Sequence, residues 1–185
     1  MENNSKKITQ WLCELALANS QAALKSLYVA YNQKLIRFIG LYVSSFVDIE
    51  EVLSDTFLAL WNNRESLLDV TNFNSYIYGI ARHKAISFCR KKQIENVDVE
   101  DFFIDLFYHT ETTPEDNLIS KEEIANINAA INALPEKTKI TFKLIREDNL
   151  KYKEVAEILG ISIKTVEAHM ATAVRQLRET LEKKT

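Results

Sequence analysis

The stretch Tyr152–Leu177, YKEVAEILGISIKTVEAHMATAVRQL, decides how the rest of the chain is read. Val155, Ala156 and Leu159 recur at helical spacing, and Gly160 follows where the chain must turn. Such a turn often needs a positive φ, which glycine adopts at little cost. Ile161 then serves as the apolar plug between two helices, and Ser162 is a natural N-cap for the second. At about 100° per residue, Val166, Met170, Ala173, Val174 and Leu177 fall on one arc of that helix. Lys164, Ala168, Ala171, Thr172 and Arg175 fall on the opposite arc, which is small, polar and basic. Small side chains admit a backbone close to a major groove, while Lys and Arg suit phosphates or guanine. Thr can bond a base or a phosphate, and Glu167, at the edge of the arc, can accept from a cytosine amine. A two-helix corner in any helical protein is the competing reading; the joint spacing of Ala156, Gly160 and Val166 favours a DNA-binding helix-turn-helix. His169 lies near the core edge and fits a packing role or a base contact equally well.

Working outward, the composition bounds the fold. The 185 residues are 46% apolar and include only three Gly and two Pro. That combination predicts helices with real cores rather than many tight turns, in one domain or two small ones. Cys13 and Cys89 match no zinc spacing and read as buried thiols in a reducing cytoplasm. His83, His109 and His169 form no metal spacing, and Gly40, Gly79 and Gly160 are too scattered for a phosphate loop. The carboxylate pairs Glu50–Glu51 and Glu122–Glu123 are adjacent, so their side chains point apart on a helix. No metal, no cofactor, no small-molecule substrate and no enzyme are expected. The N-terminal apolar run, Trp11–Leu17, is too short for a signal peptide, and nothing approaches the ~20 residues of a membrane span. A soluble cytoplasmic protein without membrane insertion is expected.

The net charge of −3 would by itself argue against nucleic acid, but its distribution does not. Residues 1–93 hold 11 Lys and Arg against 8 Asp and Glu, and residues 124–185 repeat those numbers. Residues 94–123 hold 1 against 10. Two mildly basic ends therefore flank an acidic middle.

Taken in order, residues 8–20 predict a short helix broken at Asn19–Ser20, and residues 21–44 a long amphipathic one. Asp48 and Glu51 have capping-box spacing at the start of a third helix. Its buried face is Ile49, Val52, Leu53, Phe57 and Leu60, with Glu51, Asp55, Leu58 and Asn62 about opposite. A partner surface and a solvated acidic face with a stray Leu both fit that pattern. Residues 63–72 read as a loop. In the helix expected over 73–92, Ile77, Ile80, Ala81, Ala85 and Phe88 face inward. Tyr78, Gly79, Arg82, His83, Ile86 and Arg90 lie outward, with Tyr76 beside them. Rings among cations suit an unpaired DNA strand, stacking bases and tracking phosphates; a solvated basic face fits as well. Residues 94–114 read as a mobile acidic linker carrying the apolar patch Phe102–Phe107, and His109 there has no companion ligands. A helix is expected over about 115–133, and Pro135 is placed to open the next one.

Three stretches in this order carry a resemblance: DIEEVLSDTFLALWNN (48–63), FNSYIYGIARHKAISFCRKK (73–92) and ALPEKTKITFKLIREDNLKYKEVAEILGISIKTVEAHMATAVRQLRETL (133–181). Together they resemble the small two-domain extracytoplasmic-function sigma factors of the bacterial sigma-70 family. The resemblance implies an all-α fold of two small helical domains joined by a flexible acidic linker, with a helix-turn-helix in the second. It implies a domain over 1–93 for core polymerase and the −10 element, the linker over 94–114, and a domain over 115–185 for the −35 element. Partners would be core RNA polymerase, through its β′ clamp coiled coil and β flap, promoter DNA and an anti-sigma factor that can hold the chain at the inner membrane. Glu51, Asp55, Leu58 and Asn62 would meet the polymerase. Asn72, Asn74 and Tyr76 would form a pocket for a flipped non-template base, and Arg82, His83 and Arg90 would meet the duplex edge and phosphates. Ser162, Lys164, Thr165, Glu167, Ala168, His169, Ala171, Thr172 and Arg175 would read the −35 element. The linker would run through the polymerase toward the RNA exit path. Glu167 and Ala168 stand where relatives often carry Arg, so no known −35 sequence carries over to this chain, and the outer face is only modestly basic, so weak DNA affinity without polymerase is expected. A stand-alone helix-turn-helix regulator is the alternative; it would dimerise on paired half-sites.

Overall fold

Side-chain caps open three of the helices, and left-handed residues close two others. The computed structural model describes residues 2–95 and 121–182, and among them are eight α-helices, one 3-10 segment and no strand. The chain splits into two compact units at Ile104–Asp105. The all-α, two-domain class expected from the sequence is what is found. The acidic linker with Phe102–Phe107 and His109, and the expected helix start before Lys121, lie outside the described residues.

In the first unit α1 spans Glu2–Ala18 and stops at Asn19, whose φ of 50° is a left-handed value that Asn tolerates. Ser20 then caps α2 (Gln21–Ile39), its hydroxyl oxygen accepting from the Ala23 amide at 3.2 Å. The helix ends short of residue 44, because the amides of Leu41, Tyr42 and Val43 turn back onto the carbonyls of Phe38 and Ile39. The third helix, α3 (Phe46–Asn62), starts two residues before Asp48. Asp48 is not its cap: it sits in the first turn and pairs with Lys92. Residues 64–69, expected as loop, form a 3-10 segment, Arg64–Asp69, which buries Leu67 and packs on α1. α4 covers Phe73–Glu95 and so runs past the point where the linker was expected to begin.

Leu15, Leu27, Leu35, Leu60, Leu67 and Ile77 draw these elements around one core. Tyr78, expected on the outer arc of α4, is 0% exposed and tilts against Phe38 at 5.1 Å between centroids. The reason is that α4 packs on both α2 and α3, so its buried arc is wider than one neighbour would make it. The thiols are half-buried rather than buried. Cys89 donates to the Tyr42 carbonyl at 3.3 Å; burial, then the Asp48 carboxylate, push its pKa up.

The second unit holds α5 (Lys121–Asn132), α6 (Glu136–Arg146), α7 (Tyr152–Leu159) and α8 (Ile163–Glu182). Pro135 sits one position before the first residue of α6, and its carbonyl accepts from the Lys139 amide at 2.8 Å. Glu154, in the first turn of α7, accepts from the Lys151 amide at 2.7 Å, half of a capping box that the sequence pattern does not announce. α8 packs against α5, α6 and α7, with Val166 and Ala173 fully buried. Thr141 is buried too; its hydroxyl donates to the Lys137 carbonyl at 2.8 Å, which satisfies it inside the core.

Two glycines yield opposite predictions from equal free space, since a Cβ at Gly79 or at Gly160 meets nothing within 4 Å. Gly160 has φ 67°, so Gly160→Ala should destabilise the second unit by about 1–2 kcal/mol. Gly79 is mid-helix, so Gly79→Ala should stabilise the first unit by roughly 0.5–1 kcal/mol. Denaturant melts of the two variants check both signs. The Cys89 thiol, short of thiolate at neutral pH, should react with iodoacetamide more slowly in the folded chain than in urea. Equal rates would contradict that.

Candidate nucleic-acid and polymerase interfaces

The turn between α7 and α8 is built from one glycine and one serine. Gly160 closes α7 in the left-handed conformation, φ 67° and ψ 39°, and the Ile161 amide bonds back to the Ala156 carbonyl at 3.0 Å. Ser162 then caps α8: its hydroxyl oxygen accepts from the Thr165 amide at 3.0 Å and lies 2.8 Å from the Thr165 hydroxyl. These bonds fix the angle at which α8 leaves the turn. Val166, Met170 and Ala173 are buried beneath it, while Lys164, Glu167, Ala168, Ala171 and Arg175 are exposed. Ser162 is exposed as well, and Thr165 and Thr172 are half-buried. Val174 departs from the expected core arc and is exposed; it lies about 80° around the helix from Val166, at the edge of that arc. His169 is half-buried, its Nδ1 3.3 Å from the Thr138 hydroxyl on α6. It therefore touches the helix beneath α8 as well as bordering the exposed stripe.

The second basic surface follows the entry into α4. Asn72 caps that helix, its Oδ1 accepting from the Ser75 amide at 3.0 Å while its carbonyl accepts from the Tyr76 amide at 3.1 Å. Asn74 is held from elsewhere: the Tyr31 hydroxyl on α2 donates to its Oδ1 at 2.7 Å. Tyr76 and Arg82 are half-buried, and His83 and Arg90 are exposed. Tyr76, His83 and Arg90 recur every seven residues, so each sits about 20° from the last and the three share one stripe of α4. Ile86, exposed, lies on the same side. The structure thus separates the six residues into two asparagines at the helix start, a stripe of Tyr76, His83 and Arg90 along it, and Arg82 about 100° around the helix from His83.

The approach to that helix is braced by groups that no local pattern announces. The Arg64 guanidinium stacks over the Trp61 ring at 4.7 Å, donates to the Trp61 carbonyl at 3.0 Å and reaches the Asn19 side chain. At the other end Lys92 pairs with Asp48 and stands 5.8 Å from the Phe88 ring centroid. On α3, Glu51, Asp55, Leu58 and Asn62 are all exposed, Leu58 by 56%. Behind them Ile49, Val52, Leu53, Phe57 and Leu60 are buried as expected, joined by Thr56, whose hydroxyl donates to the Val52 carbonyl at 2.7 Å. Asp55 also pairs with Lys84 of α4 at 3.5 Å, an exposed contact of small energy. Among the described residues no group of His, Cys, Asp and Glu could hold a metal, and no helix is long and apolar enough to cross a membrane.

Comparison with known proteins converges on one family. Residues 27–94 match the family model "Sigma-70 region 2" and residues 124–177 match "Sigma-70, region 4". The RNA polymerase sigma factor SigZ of Bacillus subtilis is 26% identical over 159 residues, which is 86% of this chain and 87% of that protein. The ECF RNA polymerase sigma-E factor of Haemophilus influenzae is 26% identical over 182 residues, covering 95% of this chain and 94% of its own. Among solved structures, the sigma factor RpoE of Bartonella quintana, in complex with the anti-sigma factor NepR, superposes with a TM-score of 0.64 at 21% identity, over 85% of this chain and 96% of that one. CnrH, in complex with the cytosolic domain of CnrY, gives 0.61 at 19% identity, over 94% and 97%. With a polar, cation-bearing face on each of two helices, and both regions of one family matched in order, the chain belongs to the sigma-70 family of RNA polymerase sigma factors, in its extracytoplasmic-function group.

Proposed function

We propose that the chain is a transcription initiation factor that binds core RNA polymerase and gives it promoter choice, acting by binding rather than by catalysis. The observation that carries the reading is the partition of α8: Val166, Met170 and Ala173 are sunk in the core, and Lys164, Glu167, Ala168, Ala171 and Arg175 stand exposed on the same helix. Ala168 and Ala171 leave room for the floor of a major groove, and Lys164 and Arg175 supply cations for its walls. On this reading residues 115–185 engage the −35 element, with Ser162, Thr165, His169 and Thr172 at the margins of the contact. Residues 1–93 engage polymerase through Glu51, Asp55, Leu58 and Asn62, and the −10 element through Asn72, Asn74, Tyr76, Arg82, His83 and Arg90. Residues 94–114 are the tether.

Strand opening then follows from binding. A base taken out of the stack costs a few kcal/mol, and a pocket that holds it lowers the free energy of the open duplex. Rings and cations along α4 suit the unpaired strand beside it. Neither basic face is strongly charged, so affinity for free duplex is weak and tight binding requires the polymerase, which holds both faces against one DNA. An anti-sigma factor that covers these faces would silence the chain in the cytoplasm.

Run-off transcription with core polymerase and genomic promoter fragments tests the proposal. Specific transcripts that need both proteins are expected; failure to co-purify with core enzyme, or a sequence-specific gel shift by the chain alone, would overturn it in favour of a stand-alone regulator. Within that assay Arg175→Ala should weaken binding about evenly across promoters, whereas Lys164→Ala and Glu167→Ala should change −35 preference, with each altered base pair worth about 1–3 kcal/mol. Equal losses on every promoter for Glu167→Ala would remove its base-reading role.

A further inference from the structure

The side chain of Asn74, at the start of α4, is held by a distant element. Tyr31 lies 43 positions earlier, in the middle of α2. It is 4% exposed, its ring edge-on to Phe73 at 5.3 Å between centroids and 87° between planes. The ring alone would fill that place in the core. The hydroxyl does something further: it donates to Asn74 Oδ1 at 2.7 Å. This bond ties the Asn74 amide to the middle of α2, with its oxygen toward the phenol. Asn72 is engaged as the cap of α4, and Phe73 between the two asparagines is buried. The segment 72–74 is therefore anchored at consecutive residues by a cap, a core ring and a buried hydroxyl.

We propose that Tyr31 is a positioning residue for base capture at the −10 element, acting through Asn74. The proposal rests on the reading of 72–76 as the pocket for a flipped base. Tyr31 itself touches no DNA. It pre-sets the amide of Asn74, so the amide does not have to be ordered when the base arrives. Without the hydroxyl the amide loses one contact that orients it, and a smaller share of the population presents the edge that the base requires.

The test is a double-mutant cycle in the full chain with core polymerase: Tyr31→Phe, Asn74→Ala and the pair. Opening is read by permanganate reactivity of the −10 thymines, at a temperature where circular dichroism shows every variant folded. Polymerase binding and −35 duplex binding are measured alongside. Tyr31→Phe keeps the ring, so both binding readouts should match the wild type while opening falls about three- to tenfold, as one hydrogen bond allows. Asn74→Ala should fall at least as far, and the double variant no further than Asn74→Ala alone. Asn74→Asp, which keeps an oxygen for the Tyr31 hydroxyl but loses the amide nitrogen, should fold like the wild type and still open poorly. Wild-type opening by Tyr31→Phe beside a defective Asn74→Ala would overturn the positioning role and leave the pocket reading standing. Multiplying losses in the double variant would show that Tyr31 acts apart from Asn74, overturning the proposal. Wild-type opening by Asn74→Ala would overturn the pocket reading and the proposal with it.

Discussion

Each of the two helices proposed to face DNA depends on one constraint: it must sink enough apolar surface on one side to leave its other side polar and still. For α8 that seam is Val166, Met170 and Ala173, closed against α6 and α7. For α4 it is Phe73, Ile77, Tyr78, Ala81 and Ala85, closed against α2 and α3. A buried Val, Phe or Met contributes on the order of 1.5–3 kcal/mol, whereas an exposed cation or a surface ion pair contributes little to folding. The stabilising residues and the proposed reading residues are therefore different sets on the same helices. Substitutions on the outer stripes can alter recognition without unfolding either unit.

Orientation is the second requirement, and short-range polar contacts supply it. The left-handed Gly160 and the Ser162 cap set how α8 leaves the turn. The Asn72 cap, the Arg64–Trp61–Asn19 cluster and the Tyr31–Asn74 bond do the same for the entry into α4. Each bond is worth only about 0.5–1.5 kcal/mol, so none of them holds the fold. Their effect is to fix the direction of a few side chains, and recognition of a base edge depends on direction.

Much of this was legible in the sequence because helical periodicity is a local signal. The inward face of α3 is legible residue by residue, that of α8 at Val166, Met170 and Ala173 but not at Val174, and Gly160 and Ser162 mark the turn between the last two helices. Where the reading went wrong, a tertiary neighbour decided. Tyr78 looked outward until a second packing partner widened the buried arc of α4. Asp48 had capping spacing, but Lys92, 44 residues on, took its carboxylate. Residues 64–69 looked like loop because a single inward leucine, Leu67, has no period to detect. The Tyr31–Asn74 contact spans two helices and leaves no trace in either one's pattern. The proposed assignment of exposed residues to polymerase or to DNA rests on the order of three motifs, since an outward Leu58 among acids has the same local appearance in a solvated face.

The central claim is that two separate helical faces engage one promoter at two places, and only on the polymerase. Site-specific photocross-linking tests it most directly, with a photoreactive amino acid placed at His83 on α4 or at Ala168 on α8, both exposed. The account predicts cross-links from position 83 to the −10 region and from position 168 to the −35 region of the same fragment, each dependent on core polymerase. Cross-links from both positions to one site, or equal yields without polymerase, would contradict it.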